Sequence, residues 1–402
     1  MLPKGWMSKL LSDCVKFVSG GTPSKEREDY WNGDFPWVTV KDMKSLWLTD
    51  SGLKLTSAGK AAAAVVPAES VLVLTRGMAL LKDLPVAVSK RELSFNQDIK
   101  ALLPVKGINA EFLAFQLLGR KSEILELVDK AGHGTGRLDT DQLKQFPVSV
   151  PPCAEQKAIA EALCVWDTAI TTAEKLLANS RKQKQALMQT LLLDSRAQHE
   201  RLSLSDISER VQRTSDSVEH PILMISSGSG FVRQDEKYSR FMAGKSLNDY
   251  ILLKRGEFAY NKGNSKSYEF GCVFPLEAYE QGLVPHVYVC FKLDGRCDPD
   301  FFKYLFEADY LHDQLGAMVN TGVRNNGLLN VRPADFMSVK VPLPPMERQR
   351  YIAKVLGTAS EEIRLLQVDL ENLRTQKRAL MADLLTGKRR VKLPPRAAHE
   401  PA

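Results

Sequence analysis

The sequence predicts an α/β (α+β) protein with two globular domains separated by two long helices that form an antiparallel coiled coil. Three observations predict this: an internal duplication, a helical stretch almost free of Gly and Pro in each half, and an α/β pattern before each stretch. The chain has 402 residues, enough for two domains that each bury a core. The duplication also predicts that the halves are related by a pseudo-twofold axis.

The duplication appears when Pro151 is placed over Pro344, an offset of 193 positions (344 − 151). Without a gap, the same offset puts Gln156 over Gln349 and ends with "QKQALMQTLL" over "QKRALMADLL". It also places "LSD" at residues 11–13 over "LSD" at residues 204–206. Each half is therefore interpreted as a variable domain followed by a constant helical arm.

The variable domains share an order of elements and little chemistry. Each has an aromatic-rich helical phrase, "AEFLAFQLL" or "PDFFKYLFEA", then a glycine-rich loop, then a short apolar strand that ends in two prolines. The predicted boundaries are residues 1–150 for the first domain, 151–196 for the first arm, 197–343 for the second domain, 344–390 for the second arm, and 391–402 for a disordered tail.

The arms have apolar residues at alternating steps of three and four, which is the spacing of a heptad seam. The predicted seam residues are Ile170, Leu177, Lys184, Leu187 and Leu191 in the first arm, and Ile363, Leu366, Leu370, Leu373, Lys377, Leu380 and Leu384 in the second. A lysine takes the same seam position in both, where a polar residue fixes register and partner choice. The seam from 170 to 191 is about 33 Å long at about 1.5 Å per residue.

Two unrelated amphipathic helices, each packed on its own domain, are the alternative to a coiled coil. The matching phase and the shared lysine favour an antiparallel pair that holds the variable domains apart. A surface present twice in one chain also predicts two equivalent docking sites for two copies of a partner protein.

Composition and motifs argue against several classes of protein. The net charge of +7 permits a polyanionic partner, and no apolar run is long enough to span a bilayer, so we expect a cytoplasmic protein without a membrane contact. The sequence has no GxxxxGK[ST] phosphate loop, no GxGxxG after a strand and no HExxH. Six cysteines form no CxxC pair. We therefore expect no catalytic residue and no metal site in this chain.

The variable domains contain polar and basic loops such as "LTRGMAL", "GHGTGR" and "AYNKGNSKSYEFG". Side chains of these types donate to phosphates and to base edges. The chain resembles the specificity subunits of type I restriction-modification systems. The resemblance covers nearly the whole sequence and rests on "GGTPS…YWNGDFPWV", on the doubled "PP-x-x-x-Q-x-x-I-A" and "QK-x-ALM-x-x-LL", and on "VRNNGLL…FMSVKVPLPP".

The resemblance implies a non-catalytic subunit with two target-recognition domains, each reading one part of a bipartite, asymmetric site in double-stranded DNA. It implies that the coiled coil sets the unread gap, that two methyltransferase (modification) subunits bind the arms, and that restriction/translocation subunits join through the methyltransferase core. S-adenosylmethionine, ATP and Mg would belong to those partners, and this chain would bind no cofactor. The seam length is close to one turn of B-DNA, about 34–36 Å, which agrees with this reading.

Candidate DNA contacts follow from residue type and loop context. They are Lys25, Thr39, Lys41, Arg76, Lys82, His133, Thr135 and Arg137 in the first domain, and Ser226, Arg233, Asn261, Lys262, Asn264, Lys266, Tyr268, Arg324, Asn325 and Asn326 in the second. One departure from the family pattern is that Glu155-Gln156 in the first arm becomes Arg348-Gln349 in the second. Two other functions remain open: a coiled-coil scaffold that binds proteins, and a stand-alone DNA-binding regulator.

Overall fold

The computed structural model describes residues 2–130, 134–193, 200–216, 218–237, 249–263, 265–319 and 329–392. They form two compact units, the first drawn from residues 1–173 and 369–402 and the second from residues 174–368. Each unit thus contains one variable domain and segments of both helical arms.

The first unit is built around apolar strands that are covered by short helices. Its strands are β1 (Met7–Leu10), β2 (Val15–Ser19), β3 (Trp31–Val38), β4 (Trp47–Leu48), β5 (Leu53–Leu55), β6 (Val65–Val66), β7 (Val71–Leu74), β8 (Arg76–Gly77), β9 (Val86–Ser89), β10 (Leu93–Phe95), β11 (Ile99–Pro104), β12 (Val128–Lys130), β13 (Gly136–Leu138) and β14 (Pro147–Val150). Its helices are α1 (Leu11–Cys14), α2 (Ser57–Ala61), α3 (Ala110–Gly119), α4 (Lys121–Glu126) and α5 (Thr140–Lys144), followed by the long helix α6 (Cys153–Met188), which continues as a π turn (Gln189–Leu193).

A five-stranded sheet with the order β2-β11-β7-β9-β4 is the centre of the first unit. The four residues "VLVL" of β7 are all buried, as expected of a central strand that is covered on both faces. Helix α3 packs on this core with Leu113 and Leu117, while its phenylalanines belong to a second cluster with the long helices. The Asn109 side chain caps the first turn of α3 by accepting from the Phe112 N–H at 2.8 Å. Two further sheets have the orders β5-β3-β10-β6 and β12-β13-β8.

The described residues of the second unit form as many sheets as the first unit, but with fewer strands in all. Its strands are β15 (Arg201–Ser203), β16 (Ser208–Arg210), β17 (Leu223–Ser226), β18 (Gly230–Arg233), β19 (Ile251–Lys254), β20 (Phe258–Asn261), β21 (Cys272–Pro275), β22 (Gln281–Val284), β23 (Val289–Leu293) and β24 (Lys340–Pro342). Its helices are α7 (Gln234–Lys237), α8 (Pro299–Glu307), α9 (His312–Met318) and α10 (Pro333–Met337), and the long helix α11 (Met346–Leu384) follows. The main sheet has the order β16-β23-β20-β21.

The duplication seen in the sequence is confirmed by matching contacts inside each unit. Strand β1 pairs antiparallel with β14 and β15 pairs antiparallel with β24, so each variable domain is closed by a strand just before its long helix. The Leu11 N–H donates to the Phe146 carbonyl at 2.9 Å, and the Leu204 N–H donates to the Val339 carbonyl at 2.9 Å. Both pairs of positions differ by the same 193 residues (204 − 11 and 339 − 146).

The two long helices run antiparallel where they meet. In the first unit, Glu155 of α6 contacts Arg390, just beyond α11, and Asp167 contacts Lys377. In the second unit, Ser180 contacts Glu362. Rising residue numbers along α6 therefore meet falling numbers along α11, which confirms the predicted antiparallel coiled coil.

The predicted seam faces inward along both helices. Leu177, Leu370 and Leu384 are 7%, 6% and 3% exposed. The other predicted seam residues are half-buried: Ile170, Lys184, Leu187, Leu191, Ile363, Leu366, Leu373, Lys377 and Leu380. Most residues between them are exposed, as a two-helix seam requires.

The end of each long helix packs on an aromatic helix of the unit it enters. Leu192, next to the end of the π turn that follows α6, is 2% exposed in the core that contains Phe301 of α8. Leu384 and Leu385 are 3% and 4% exposed in the core that contains Phe115 of α3. The repeated "QK-x-ALM-x-x-LL" is therefore a buried contact with a variable domain as well as the end of a seam. None of the helices described is long and apolar enough to cross a membrane.

Candidate nucleic-acid interface

Two predicted arginines lie opposite each other in the first unit. Strands β8 and β13 pair antiparallel with Arg76 directly across from Arg137, and both side chains are exposed. Directly opposed residues on neighbouring strands have Cβ atoms about 4.5–5.5 Å apart, so their like charges destabilise the pair. An anion between the two guanidinium groups would remove that repulsion, and phosphate accepts from arginine in a bidentate geometry. The arrangement therefore favours a phosphate-bearing ligand.

The arginine pair lines a cleft of about 370 Å³. Gln97 and Lys100, which the sequence analysis did not select, line it too, together with Thr75, Leu138, Asp139, Thr140 and Asp141. Lys100 Nζ donates to Ser19 Oγ at 2.7 Å, and Gln97 Oε1 accepts from Thr22 Oγ1 at 2.7 Å. The signal for Gln97 and Lys100 was present in "NQDIK", as polar residues before and after buried Ile99, the first residue of β11.

The double glycine of "GGTPS" explains how Thr22 reaches this cleft. A Cβ on Gly20 would lie 2.3 Å from the Asn96 carbonyl oxygen, a distance that excludes any side chain there. The Gly21 N–H donates to the Phe95 carbonyl at 3.0 Å. The loop therefore lies against the end of β10, close enough for Thr22 to bond Gln97.

Two carboxylates, those of Asp139 and Asp141, also line the cleft. Asp139 caps α5 by accepting from the Gln142 and Asp141 N–H groups, at 3.1 and 2.8 Å, and these backbone hydrogen bonds lower the pKa of the Asp139 carboxyl below its usual value. Asp141 forms an ion pair with Lys144 at 2.8 Å. Asp139 therefore stays charged at neutral pH, within reach of the charge of Arg137.

The other first-domain candidates lie outside the lining of this cleft. Lys25, Lys41 and Lys82 are exposed, and Thr135 is half-buried. The Thr39 hydroxyl donates to Asp42 Oδ2 at 3.0 Å, so Thr39 closes a turn. His133 lies outside the described residues. The roles of these residues in DNA binding stay predictions.

The second-domain candidates are spread over two described loops. Ser226 lies at the tip of the β17–β18 hairpin and is half-buried. Arg233, at the end of β18, forms a two-point ion pair with Asp235, with distances of 2.9 and 2.6 Å. Asn261 Oδ1 accepts from the Gly263 N–H at 3.0 Å, beside half-buried Lys262, while Lys266 is exposed. Asn264, Arg324, Asn325 and Asn326 lie outside the described residues.

The surroundings of Tyr268 argue against a contact with DNA. It is 9% exposed, and its hydroxyl donates to the Glu307 carbonyl at 3.3 Å. Burial raises the pKa of its hydroxyl, which therefore stays protonated. Tyr268 is better explained as the residue that holds its loop on the end of α8.

The two seam lysines bind different carboxylates. Lys377 Nζ lies 2.5 Å from Asp167 Oδ1 on the facing helix, as a residue that fixes register should. Lys184 Nζ instead lies 2.5 Å from Glu307 Oε1, at the end of helix α8 of the second domain. Each ammonium also faces an aromatic ring, with Lys377 at 5.3 Å from the Phe115 centroid and Lys184 at 5.2 Å from that of Tyr304.

The duplicated glutamines join each long helix to its own domain with three equivalent hydrogen bonds. Gln156 accepts from the Asn109 N–H at 2.8 Å and donates to the Gly107 and Pro151 carbonyls, both at 2.9 Å. Gln349 accepts from the Asp298 N–H at 2.7 Å and donates to the Arg296 and Pro344 carbonyls at 3.0 and 2.8 Å. Asn109 and Asp298 each cap an aromatic helix, so the glutamines fix the start of that helix.

The position before each glutamine is Glu155 in the first arm and Arg348 in the second, and the structure explains this difference. Glu155 is 1% exposed, and it accepts from Trp6 Nε1 at 3.3 Å and from Arg390 Nε and Nη2 at 2.9 and 2.6 Å. Arg348, its counterpart, is exposed and lies over the Tyr351 ring at 5.3 Å. The departure therefore reflects a buried ion pair at Glu155, where the counterpart Arg348 is exposed. Among the described residues, no group of three or more His, Cys, Asp or Glu side chains is placed to hold a metal ion.

Comparison with known proteins agrees with these features. The family described as "Type I restriction modification DNA specificity domain" matches residues 3–179. The EcoR124I/EcoR124II specificity subunit of Escherichia coli is 33% identical over a stretch that spans 40% of this chain and 40% of that protein. The MjaVIII specificity subunit of Methanocaldococcus jannaschii is 23% identical over 97% of this chain and 94% of that protein.

A solved S subunit of a type I restriction-modification system from M. genitalium has a similar fold, with a TM-score of 0.58 at 13% identity over 94% of this chain and 96% of that one. The two-domain fold is therefore shared with that protein. The resemblance predicted from the sequence is confirmed.

Proposed function

On the premise that this chain belongs to the specificity subunits of type I restriction-modification systems, we propose that it reads the DNA site for such a complex. The observation that carries the proposal is a constant framework that holds two chemically different domains. The strand pairs, the "LSD" turns and the glutamines repeat with the same contacts, whereas the domains they hold differ in sheets and in polar loops. Dissimilar domains on one framework suit a two-part, asymmetric site.

In this proposal the first domain binds duplex DNA through the cleft of Arg76 and Arg137. The arginines bind phosphates or guanine, and Gln97 is of the type that bonds adenine in two places. The second domain binds through the loop that carries Lys262 and Lys266. The heptad seam of about 33 Å is close in length to one turn of B-DNA, about 34–36 Å, which suits a spacer between two parts of one site.

The chemistry belongs to partners in this proposal. Two methyltransferase subunits bind the duplicated arm surfaces, and restriction/translocation subunits join through them. The partners bind S-adenosylmethionine, ATP and Mg, and this chain contributes recognition without catalysis. Because a target base must leave the stack to be methylated, the domains hold deformed DNA.

One experiment tests the proposal against the scaffold and the regulator. The chain is purified together with a type I methyltransferase subunit, and methylation is mapped on random DNA. A gapped two-part motif supports the proposal. A complex that neither retains nor methylates DNA supports the scaffold, and sequence-specific DNA binding without any methyltransferase partner supports the regulator.

Two engineered chains test the separate roles of the first domain and of the long helices. Exchange of residues 1–150 for another first domain should change one half of the motif only. Insertion of one heptad into each helix should widen the unread gap and leave both halves unchanged, because a heptad preserves the seam while it adds about 10 Å of helix. A changed half-site after heptad insertion would contradict the role of the helices as a spacer.

A further inference from the structure

The ammonium of Lys184, a residue of the helical seam, forms its ion pair with the second domain. The Lys184 side chain is only 12% exposed, and its Nζ bonds Glu307 at 2.5 Å and faces the Tyr304 ring. A half-buried ion pair of this kind contributes more than an exposed one, because solvent screens it less. The seam lysine of the first arm therefore fixes α6 to helix α8.

Glu307 makes two contacts with different parts of the molecule. It is the last residue of α8, where backbone carbonyls have no partner within the helix. Its carboxylate binds Lys184, and its carbonyl accepts from the hydroxyl of Tyr268 at 3.3 Å. A change in the position of Glu307 would therefore move Tyr268.

Tyr268 closes the loop that follows β20, described at residues 261–263 and 265–268 and called here the β20 loop. The Tyr268 N–H donates to Ser265 Oγ at 3.1 Å, and the Ser265 N–H donates to the Tyr268 carbonyl at 2.9 Å. The exposed Lys266 lies inside this closed turn. The position of Lys266 therefore depends on Tyr268, and through it on Glu307.

In the described part of the first unit, the seam lysine does not form an ion pair with the aromatic helix. Phe115 of α3 corresponds to Tyr304 of α8, an offset of 189 positions (304 − 115), and the same offset places Leu118 at the position of Glu307. Leu118 has no carboxylate, and Lys377 pairs with Asp167 of the facing helix instead. Both seam lysines thus face an aromatic ring of their domain, but the ion pair joins Lys184 to a domain and Lys377 to the facing helix.

We propose that Lys184 and Glu307 are positioning residues for DNA recognition by the second domain, because their ion pair fixes the β20 loop. This inference rests on the proposed function. It makes recognition by the second domain, and not by the first, sensitive to a charge in the coiled coil.

The test compares full-length variants in complex with the methyltransferase subunit. Lys184→Met keeps the length of the side chain and removes its charge, Glu307→Gln removes the carboxylate, and Lys377→Met is the matched control in the other arm. The half-site that the second domain reads is identified by exchange of residues 1–150. Duplexes with one substituted base pair in either half-site then compete with the wild-type site for binding.

We expect Lys184→Met and Glu307→Gln to lose about tenfold in discrimination at the second half-site, which is about 1.4 kcal/mol, and to change less than about twofold at the first. Lys184→Arg should retain discrimination. Lys377→Met should leave the second half-site within about twofold of wild type. Wild-type discrimination by Lys184→Met, or an equal loss at both half-sites, would overturn the inference.

A second measurement needs no DNA. Hydrogen exchange of the backbone amides of residues 265–270 should be faster in Lys184→Met than in wild type and unchanged in Lys377→Met. If the exchange of these amides is unchanged in Lys184→Met, the positioning role is overturned, regardless of which DNA motif the complex methylates. The two results can also disagree. If the wild-type complex yields no two-part motif but exchange is still faster in Lys184→Met, the proposed function is overturned and the link between Lys184 and the β20 loop is supported.

Discussion

Replacement of Gln156 or Gln349 by methionine should destabilise one unit and spare the other. Each glutamine is 1% exposed and makes three hydrogen bonds to backbone groups of its own unit. Methionine has a similar length and volume, so the change removes the hydrogen bonds without opening a large cavity.

The expected cost follows from the number of bonds. A hydrogen bond of this kind contributes about 0.5–1.5 kcal/mol net, so the loss of three costs about 3 kcal/mol per glutamine. Because each glutamine has all three of its partners in its own unit, the two losses should add in the double variant.

Urea denaturation of the full chain measures the loss, and hydrogen exchange locates it. Gln156→Met should speed exchange at the start of α3, near Asn109, and Gln349→Met at the start of α8, near Asp298. Gln367→Met, an exposed change on α11, is the control and should alter stability by less than about 0.5 kcal/mol. A loss below about 1 kcal/mol for either buried glutamine, or faster exchange in both units from one change, would refute the reasoning.

Three further predictions follow from other features of the structure. Arg76→Ala or Arg137→Ala should lower the slope of log affinity against log salt by about one for each phosphate that the arginine neutralises in the wild-type complex; an unchanged slope and unchanged sequence preference would remove that arginine from the interface. Leu370→Ala in the seam should cost about 2–4 kcal/mol in urea denaturation, whereas Leu365→Ala on the exposed face should cost under about 0.5 kcal/mol; equal costs would contradict the seam. Burial raises the pKa of the Asp309 carboxyl, so its contribution to stability is present below its usual pKa and is lost as pH rises through the raised value. Asp309→Asn should therefore gain stability relative to wild type between about pH 3 and pH 7, and a constant difference would contradict this.

The sequence predicted the features that are repeated or periodic. A heptad seam is a local pattern, so the inward faces of both long helices followed from spacing alone. The identity of Gln156 and Gln349 was visible as well, but their hydrogen-bond partners were not, because those partners are backbone groups in another element.

The candidate interface depended on long-range pairing that spacing does not reveal. Arg76 and Arg137 were selected by residue type, yet their juxtaposition follows from the register of β8 and β13. Gln97 was missed because it meets Thr22 only after the glycine loop folds back. Tyr268 was selected as a polar loop residue, although residue type says nothing about burial.

The packing of Leu384 and Leu385 on Phe115 restricts which first domains this chain can acquire. A first domain acquired by recombination brings its own aromatic helix, while the leucines that meet it are encoded more than 200 positions downstream (384 − 150 = 234). A new domain is compatible with this chain only if its helix packs on Leu384 and Leu385, which lie outside the exchanged segment. Natural variation at the first domain should therefore be free in its loops and restricted along one face of α3.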